Sequence, residues 1–305
     1  MNNAIQIRRL TKSYGKARGI TNIDLTIPEG AFFGFIGPNG AGKSTTIHTL
    51  LGLIRADSGS ASIFGTDIAT KNKKALLSQI GYLPAEAVFY PGMRVREILR
   101  FSASLRRTDC TRSAEELCER LSLDTSKKAE ELSFGNRKKL GIVCALQGNP
   151  RLCIMDEPTS GLDPLIQREF FAILRERHAQ GTTIFLSSHI LSEIQRYCTR
   201  AAVIREGRII ACNSVEALSQ TNAKRIQVQS CQDLSAFAAS LSDTLDGIRG
   251  IEQAEHGIRF LYSGDINRLL QFFAAHPVSD LSISEPDLEE IFMHYYLDTD
   301  GGVQK

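Results

Sequence analysis

Nine consecutive residues limit what this chain can fold into more than any other feature. Gly37, Pro38, Asn39, Gly40, Ala41, Gly42, Lys43 and Ser44 fit the pattern G-x-x-x-x-G-K-[ST], and Thr45 follows it. Glycines in such a run let backbone N–H groups curl round phosphate oxygens, and the lysine reaches the terminal phosphates. Phe32 to Ile36 is a short apolar run that reads as a buried strand, and after Gly42 the apolar residues Ile47, Leu50, Leu51 and Ile54 recur at helical spacing. Strand, glycine loop and helix in that order place phosphates at a helix N-terminus, where free N–H groups and the positive end of the helix dipole favour anions. Lys43 adds a full charge, and Ser44 offers a hydroxyl to Mg²⁺.

The same alternation continues along the chain. Ile23, Leu25 and Ile27 alternate as in a half-buried strand, with a turn at Pro28 to Gly30. Helical patterns follow at Val95 to Ser102 and Leu117 to Leu121, and Arg151 to Met155 is an apolar run ending in Asp156 and Glu157. Leu165, Phe170 and Leu174 suggest a helix closed by Gly181, after which Thr182 to Leu186 forms another apolar run ending before His189. Strands alternating with helices imply a mostly parallel sheet covered on both faces, and ligands of such sheets gather at the carboxyl ends of the strands. The phosphate loop, Asp156-Glu157 and His189 all follow expected strands directly.

At 305 residues, 42% of them hydrophobic, the chain is long enough for one large domain and a small one. No stretch approaches the length of apolar sequence a membrane span needs, and the N-terminus lacks the apolar core of a signal peptide. The seven cysteines (Cys110, Cys118, Cys144, Cys153, Cys198, Cys212, Cys231) are odd in number and free of C-x-x-C pairs, which fits reduced thiols in a cytosol better than disulfides or zinc. A net charge of +2 gives no global pull toward nucleic acid, and the clusters at Lys71 to Lys74 and Arg137 to Lys139 read as solvated helix faces.

A hairpin is expected from Ala201 to Ala211, with Glu206-Gly207 at its tip, and the polar stretch Ser219 to Asn222 follows it. We place a domain boundary there, between 1–218 and 219–305. Beyond it a strand at Arg225 to Gln229, a helix near Leu234 to Leu241 and a hairpin from Ile248 to Tyr262 are expected. A helix at Ile266 to Ala275, a strand at Val278 to Ile283 and a terminal helix from Asp287 complete the set. That β-α-β-β-α-β order suggests a small ferredoxin-like sandwich, without a catalytic cluster, acting as a packing or dimerising appendage.

Four more motifs narrow the reading. Leu132-Ser-Phe-Gly-Asn136 lies about two dozen residues before Ile154-Met-Asp-Glu157, Pro158 to Asp163 follows directly, and His189 comes about thirty residues later. This order and spacing resemble the nucleotide-binding subunits of ABC transporters over about residues 4 to 218, with a helical subdomain at about 88–148. The resemblance implies a P-loop fold with a mixed sheet, ATP and Mg²⁺ as ligands, and hydrolysis coupled to transport. It further implies a head-to-tail homodimer and a cytoplasmic position against the membrane through separate permease chains. Residue by residue, Asp156 looks like the aspartate of the Mg²⁺ shell, with Ser44. Glu157 resembles the base for the attacking water, a role that needs a carboxylate close to the phosphates. His189 matches the switch histidine at the γ-phosphate, and Tyr14 the aromatic that stacks on adenine. Ser133 and Gly135 match a signature that contacts the γ-phosphate across the dimer, at the start of a helix through Leu140 and Val143, and Asn136 beside them is taken as a further contact across the dimer. Asp163 would link the two sites.

Two departures stand out. Phe134 and Asn136 replace a glycine and the glutamine of the commonest signature, and Ala85 occupies the place after Pro84 where the family usually has a glutamine that touches Mg²⁺. Glu86, one position later, is the candidate to supply that oxygen. These variants, with the ending Pro286 to Phe292, resemble ATPase subunits of bacterial exporters whose permeases are separate chains, with a partner surface around Ala85 to Arg96. The rival, a soluble ABC-type ATPase acting on DNA or ribosomes, usually carries a long coiled-coil insertion or two fused ATPase domains, and this chain has neither.

Overall fold

The computed structural model describes residues 2–284 and 286, apart from 16, 71–72, 107–108, 220–222, 230–233, 255–256 and 277. The chain forms two compact units, 1–215 and 216–305.

The first unit carries β1 (Asn3–Tyr14), β2 (Ala17–Pro28), β3 (Phe32–Ile36), α1 (Lys43–Leu50), β4 (Ser58–Ile63), β5 (Thr66–Asp67), α2 (Lys74–Leu77) and β6 (Ile80–Leu83). It continues with α3 (Val95–Arg106), α4 (Thr111–Arg120), α5 (Phe134–Leu146), β7 (Leu152–Asp156), α6 (Pro164–Ala179), β8 (Thr183–Ser188), α7 (Leu191–Tyr197), β9 (Arg200–Arg205) and β10 (Arg208–Ser214). Two sheets result. One is four-stranded, in the order β2-β1-β4-β5, and antiparallel; the other is six-stranded, in the order β10-β9-β3-β8-β7-β6. Within the second, β9, β3, β8, β7 and β6 run parallel and β10 closes the edge as a hairpin with β9.

Every residue of β3, β7 and β8 is buried, because helices and the antiparallel sheet cover both faces, so these strands read as continuous apolar runs rather than alternating ones. Ile36 pairs with Ser188 and Asp156 with Ser187, so the carboxyl ends of β3, β8 and β7 lie level along one edge. That edge carries the phosphate loop, the Asp156-Glu157 pair and His189.

Local pattern misleads at three points. Helix α1 stops at Leu50 and Gly52 takes a left-handed φ of 66°, so Ile54 falls outside it. Leu165 is in α6 but 73% exposed, since five residues separate it from Phe170 and turn it about 140° off the buried face. One strand of the antiparallel sheet is legible in its alternation, whereas four form, because β1, β4 and β5 mix polar residues with apolar ones.

A short helix α8 (Val215–Ser219) begins at the last residue of the first unit, and the second continues with β11 (Lys224–Gln229), α9 (Leu234–Thr244), β12 (Ile248–Ala254), β13 (Gly257–Tyr262), α10 (Ile266–Ala275) and β14 (Asp280–Ser284). Its antiparallel sheet runs β12-β13-β11-β14. Leu269, Phe272 and Phe273, at i, i+3 and i+4 of α10, pack with Phe237 and Leu241 of α9 over Ile226, Val228 and Phe260 of the sheet. The expected terminal helix from Asp287, Cys231 and most of the polar stretch before β11 lie outside the described residues.

Candidate functional site

The phosphate loop is shaped by its glycines. Gly40 and Gly42 take left-handed φ angles of 79° and 108°, and a Cβ on Gly42 would lie 2.8 Å from Ile20, so only glycine fits there. Gly42 is also the N-cap of α1 and brings no side-chain acceptor, which leaves the first N–H groups of the helix, those of Lys43, Ser44 and Thr45, free for an anion. Lys43 is buried, and its Nζ donates to the carbonyls of Gly37 (2.5 Å) and Pro38 (3.2 Å). Ala41, Asn39 and Pro38 complete the turn, with the Ala41 N–H donating to the Pro38 carbonyl.

Facing this loop, the end of β7 presents two carboxylates with opposite surroundings. Asp156 is fully buried; Ser187 Oγ donates to its Oδ1 at 2.5 Å, while Oδ2 has no hydrogen-bond partner among the described residues. Glu157 adopts a left-handed backbone, φ 47°, a conformation costing about 1–2 kcal/mol for a residue with a Cβ. Its N–H is held by the carbonyl and Oγ of Ser187, both at 3.2 Å. So turned, the side chain lies with Oε1 3.0 Å from Lys43 Nζ and accepts from His189 Nδ1 at Oε2, 2.7 Å away. Lys43 at the start of α1, Glu157 after β7 and His189 after β8 thus form one connected chain.

Residues no motif pointed to hold this cluster. Ser187 bridges Asp156 and Glu157. Glu193 on α7 is buried, accepts from Ser188 Oγ at 2.8 Å and from the Thr159 side chain, and burial holds its carboxyl above the usual range. It ties the loop after Glu157 to the end of β8. Tyr82 on β6 shares a 3.0 Å hydrogen bond with His48 of α1, and burial, then the charge of Asp156, raises its phenol. Each is a polar residue withdrawn wholly or partly from water, and burial is not legible without the fold.

The signature segment lies elsewhere in the unit. Ser133 is the N-cap of α5, its Oγ accepting from the Asn136 N–H at 3.3 Å. A Cβ on Gly135 would come within 2.7 Å of the Gly161 carbonyl, and the Phe134 ring covers Gly161, whose φ is 77°. Asp163 caps α6, accepting from the N–H groups of Leu165 (3.1 Å) and Ile166 (3.0 Å). Tyr14 stands half-exposed at the tip of the β1–β2 hairpin with the Lys12 ammonium 5.7 Å from its ring centre. Glu86 is exposed and lines a groove of about 310 Å³ with Val88, Phe89, Phe134, Arg137 and Lys138. Lys138, on α5, is buried and donates to the carbonyls of Pro84 (3.2 Å) and Ala85 (2.7 Å); burial lowers its ammonium to about 8 against the pull of Asp156, Glu157 and Glu86.

A glycine cradle at a helix start, a buried lysine within it and a carboxylate pair on the next-but-one strand define a P-loop nucleotide hydrolase. The unpartnered, buried Oδ2 of Asp156 is an oxygen donor suited to Mg²⁺, which fits the donor set. The comparisons narrow the class. The ABC transporter family profile matches residues 20–160. The bacitracin transport ATP-binding protein of Bacillus licheniformis is 34% identical over 303 residues, 96% of this chain and 97% of that protein. The linearmycin resistance ATP-binding protein of Bacillus subtilis is 30% identical, over 95% and 97% of the two chains. A solved ATP-binding subunit of an ABC transporter superposes with a TM-score of 0.67 at 30% identity, covering 70% of this chain and 91% of that one. This chain belongs to the ATP-binding subunits of ABC transporters; it is an ATPase that works with ATP and Mg²⁺. No helix of the described residues is long and apolar enough to cross a membrane.

Proposed function

We propose that this subunit powers an exporter whose permeases are separate chains, by ATP-driven head-to-tail dimerisation at the cytoplasmic face of the membrane. The observation that carries the mechanism is the Lys43-Glu157-His189 chain, which joins the phosphate loop to the ends of β7 and β8. Residues Gly37 to Thr45 cradle the phosphates through their N–H groups. Lys43 exchanges its carbonyl partners for phosphate oxygens, which frees Glu157 to orient the attacking water and take its proton. His189 steadies Glu157 through the Nδ1 hydrogen bond and touches the γ-phosphate from its other side. Ser44 and Asp156 hold Mg²⁺, which neutralises phosphate charge when bound, and Glu86 is the candidate further oxygen. Tyr14 stacks on adenine.

Ser133, Gly135 and Asn136 close the site from the second subunit, since Ser133 stands exposed at a helix start and faces away from its own interior. Asp163, adjoining Gly161, links the two sites. Residues 1–218 form the ATPase domain with its helical subdomain at about 88–148. The region 219–305 is a ferredoxin-like appendage, supported by its β-α-β-β-α-β order and its β12-β13-β11-β14 sheet. The permease surface lies around Ala85 to Arg96, where Val88 is 86% and Tyr90 69% exposed. No nucleic-acid partner is expected. The resistance and transport names of the relatives support the exporter reading. Affinity purification from membranes tests it: a polytopic membrane protein is expected to co-purify, whereas recovery with ribosomes or DNA overturns the proposal.

A further inference from the structure

Two lysines are buried among the described residues, Lys43 in the phosphate loop and Lys138 on α5. Lys138 has no part in the chemistry above, yet its ammonium is taken out of water to donate to two backbone carbonyls, those of Pro84 and Ala85. The same face of α5, at i, i+3 and i+7, meets the same segment twice more. A Cβ on Gly141 would lie 2.7 Å from Leu83 and 3.2 Å from Ala87, and a Cβ on Gly81 would strike the Ala145 carbonyl. Helix α5 and residues 81–87 therefore touch at backbone range over two turns, with the lysine pinning the end where the segment leaves the sheet. Ser133 and Gly135 stand at the N-terminus of that helix, and the exposed Val88 and Tyr90 follow that segment.

We propose that Lys138 is a positioning residue that locks the loop after β6 to α5, so that displacement of the loop by a partner moves Ser133 and Gly135 as one body with it. This rests on the reading that Ser133 and Gly135 close the ATP site of a second subunit. The test uses the full chain carrying Glu157→Gln, with ATP-dependent dimer formation followed by sedimentation and monomer affinity by nucleotide titration. Lys138→Met is expected to raise the ATP concentration for half-dimerisation at least tenfold while monomer affinity stays within twofold, and Lys138→Arg, which keeps the donors, to recover most of that loss. An unchanged dimerisation midpoint in Lys138→Met overturns the lock, as does a parallel loss of affinity. If Lys138→Met does not fold, Gly141→Ala, whose methyl presses on Leu83 and Ala87 across the same seam, must show the same separation or the proposal fails. Absence of a dimer in the Glu157→Gln parent overturns both the lock and the trans-closure reading, whereas a dimer indifferent to Lys138 overturns the lock alone.

Discussion

Replacing Glu157 by glutamine separates chemistry from binding. The amide keeps the shape of the carboxylate, so Oε1 still meets Lys43 at 3.0 Å, but the NH₂ now faces His189 Nδ1 at 2.7 Å and forces that nitrogen to accept rather than donate. On the proposed role of Glu157, the site also loses its proton acceptor. A positioned general base contributes about 10²–10⁴ in rate, which corresponds to about 3–5 kcal/mol of barrier. Phosphate release at saturating MgATP is therefore expected to fall by that factor, with nucleotide affinity within about threefold of the parent. Stability changes less. Lys43 keeps two carbonyl acceptors and a neutral third, so loss of the ion pair costs about 1–2 kcal/mol and lowers Tm by about 3–6 °C. Bound ATP supplies the missing negative charge to Lys43, so the Tm difference should narrow at saturating MgATP. Hydrolysis within threefold of the parent would refute the assignment of Glu157 as base, and a Tm gap that widens with MgATP would refute the exchange of partners at Lys43.

Lys43→Ala removes the one full charge inside the phosphate cradle and is expected to weaken MgATP binding by 2–4 kcal/mol, roughly 30- to 1000-fold, in a nucleotide titration. Gly161→Ala forces a Cβ into a left-handed φ of 77° and against the Phe134 ring; thermal melting should show a loss of about 2–4 kcal/mol, and adding Phe134→Ala should restore the steric part but not the backbone part. Lys138 binds its proton more weakly folded, to about 8, than unfolded, so its burial penalty is fully present below pH 8 and is relieved as pH rises toward 10.5. Urea unfolding at pH 7.5 and 9.5 should show a rise of about 1–3 kcal/mol in the parent relative to Lys138→Met, and equal slopes in the two proteins would count against a buried, charged lysine.

Local sequence determined the pieces of this protein. The glycines at 40 and 42 require φ angles that other residues resist, the apolar runs at 32–36 and 183–186 are long enough to be strands and carry no polar alternation, and Asp163-Pro164 supplies a capping acceptor and a fixed φ suited to a helix start. These depend on neighbours within a few positions, which is why the strand-loop-helix at the phosphate cradle and the order of the later motifs are legible in one dimension. What the pieces do to each other was decided by pairing across long separations. The order β3-β8-β7 sets strands more than a hundred residues apart side by side, and only then does Glu157 come within 3.0 Å of Lys43. The left-handed turn at Glu157, the Ser187 bridge and the burial of Glu193 and Lys138 have no local signature, because a polar residue acquires its partners and its loss of water from elements far away in the chain. The identity of the chemistry is written in the loops, and its geometry in the sheet that brings their ends level.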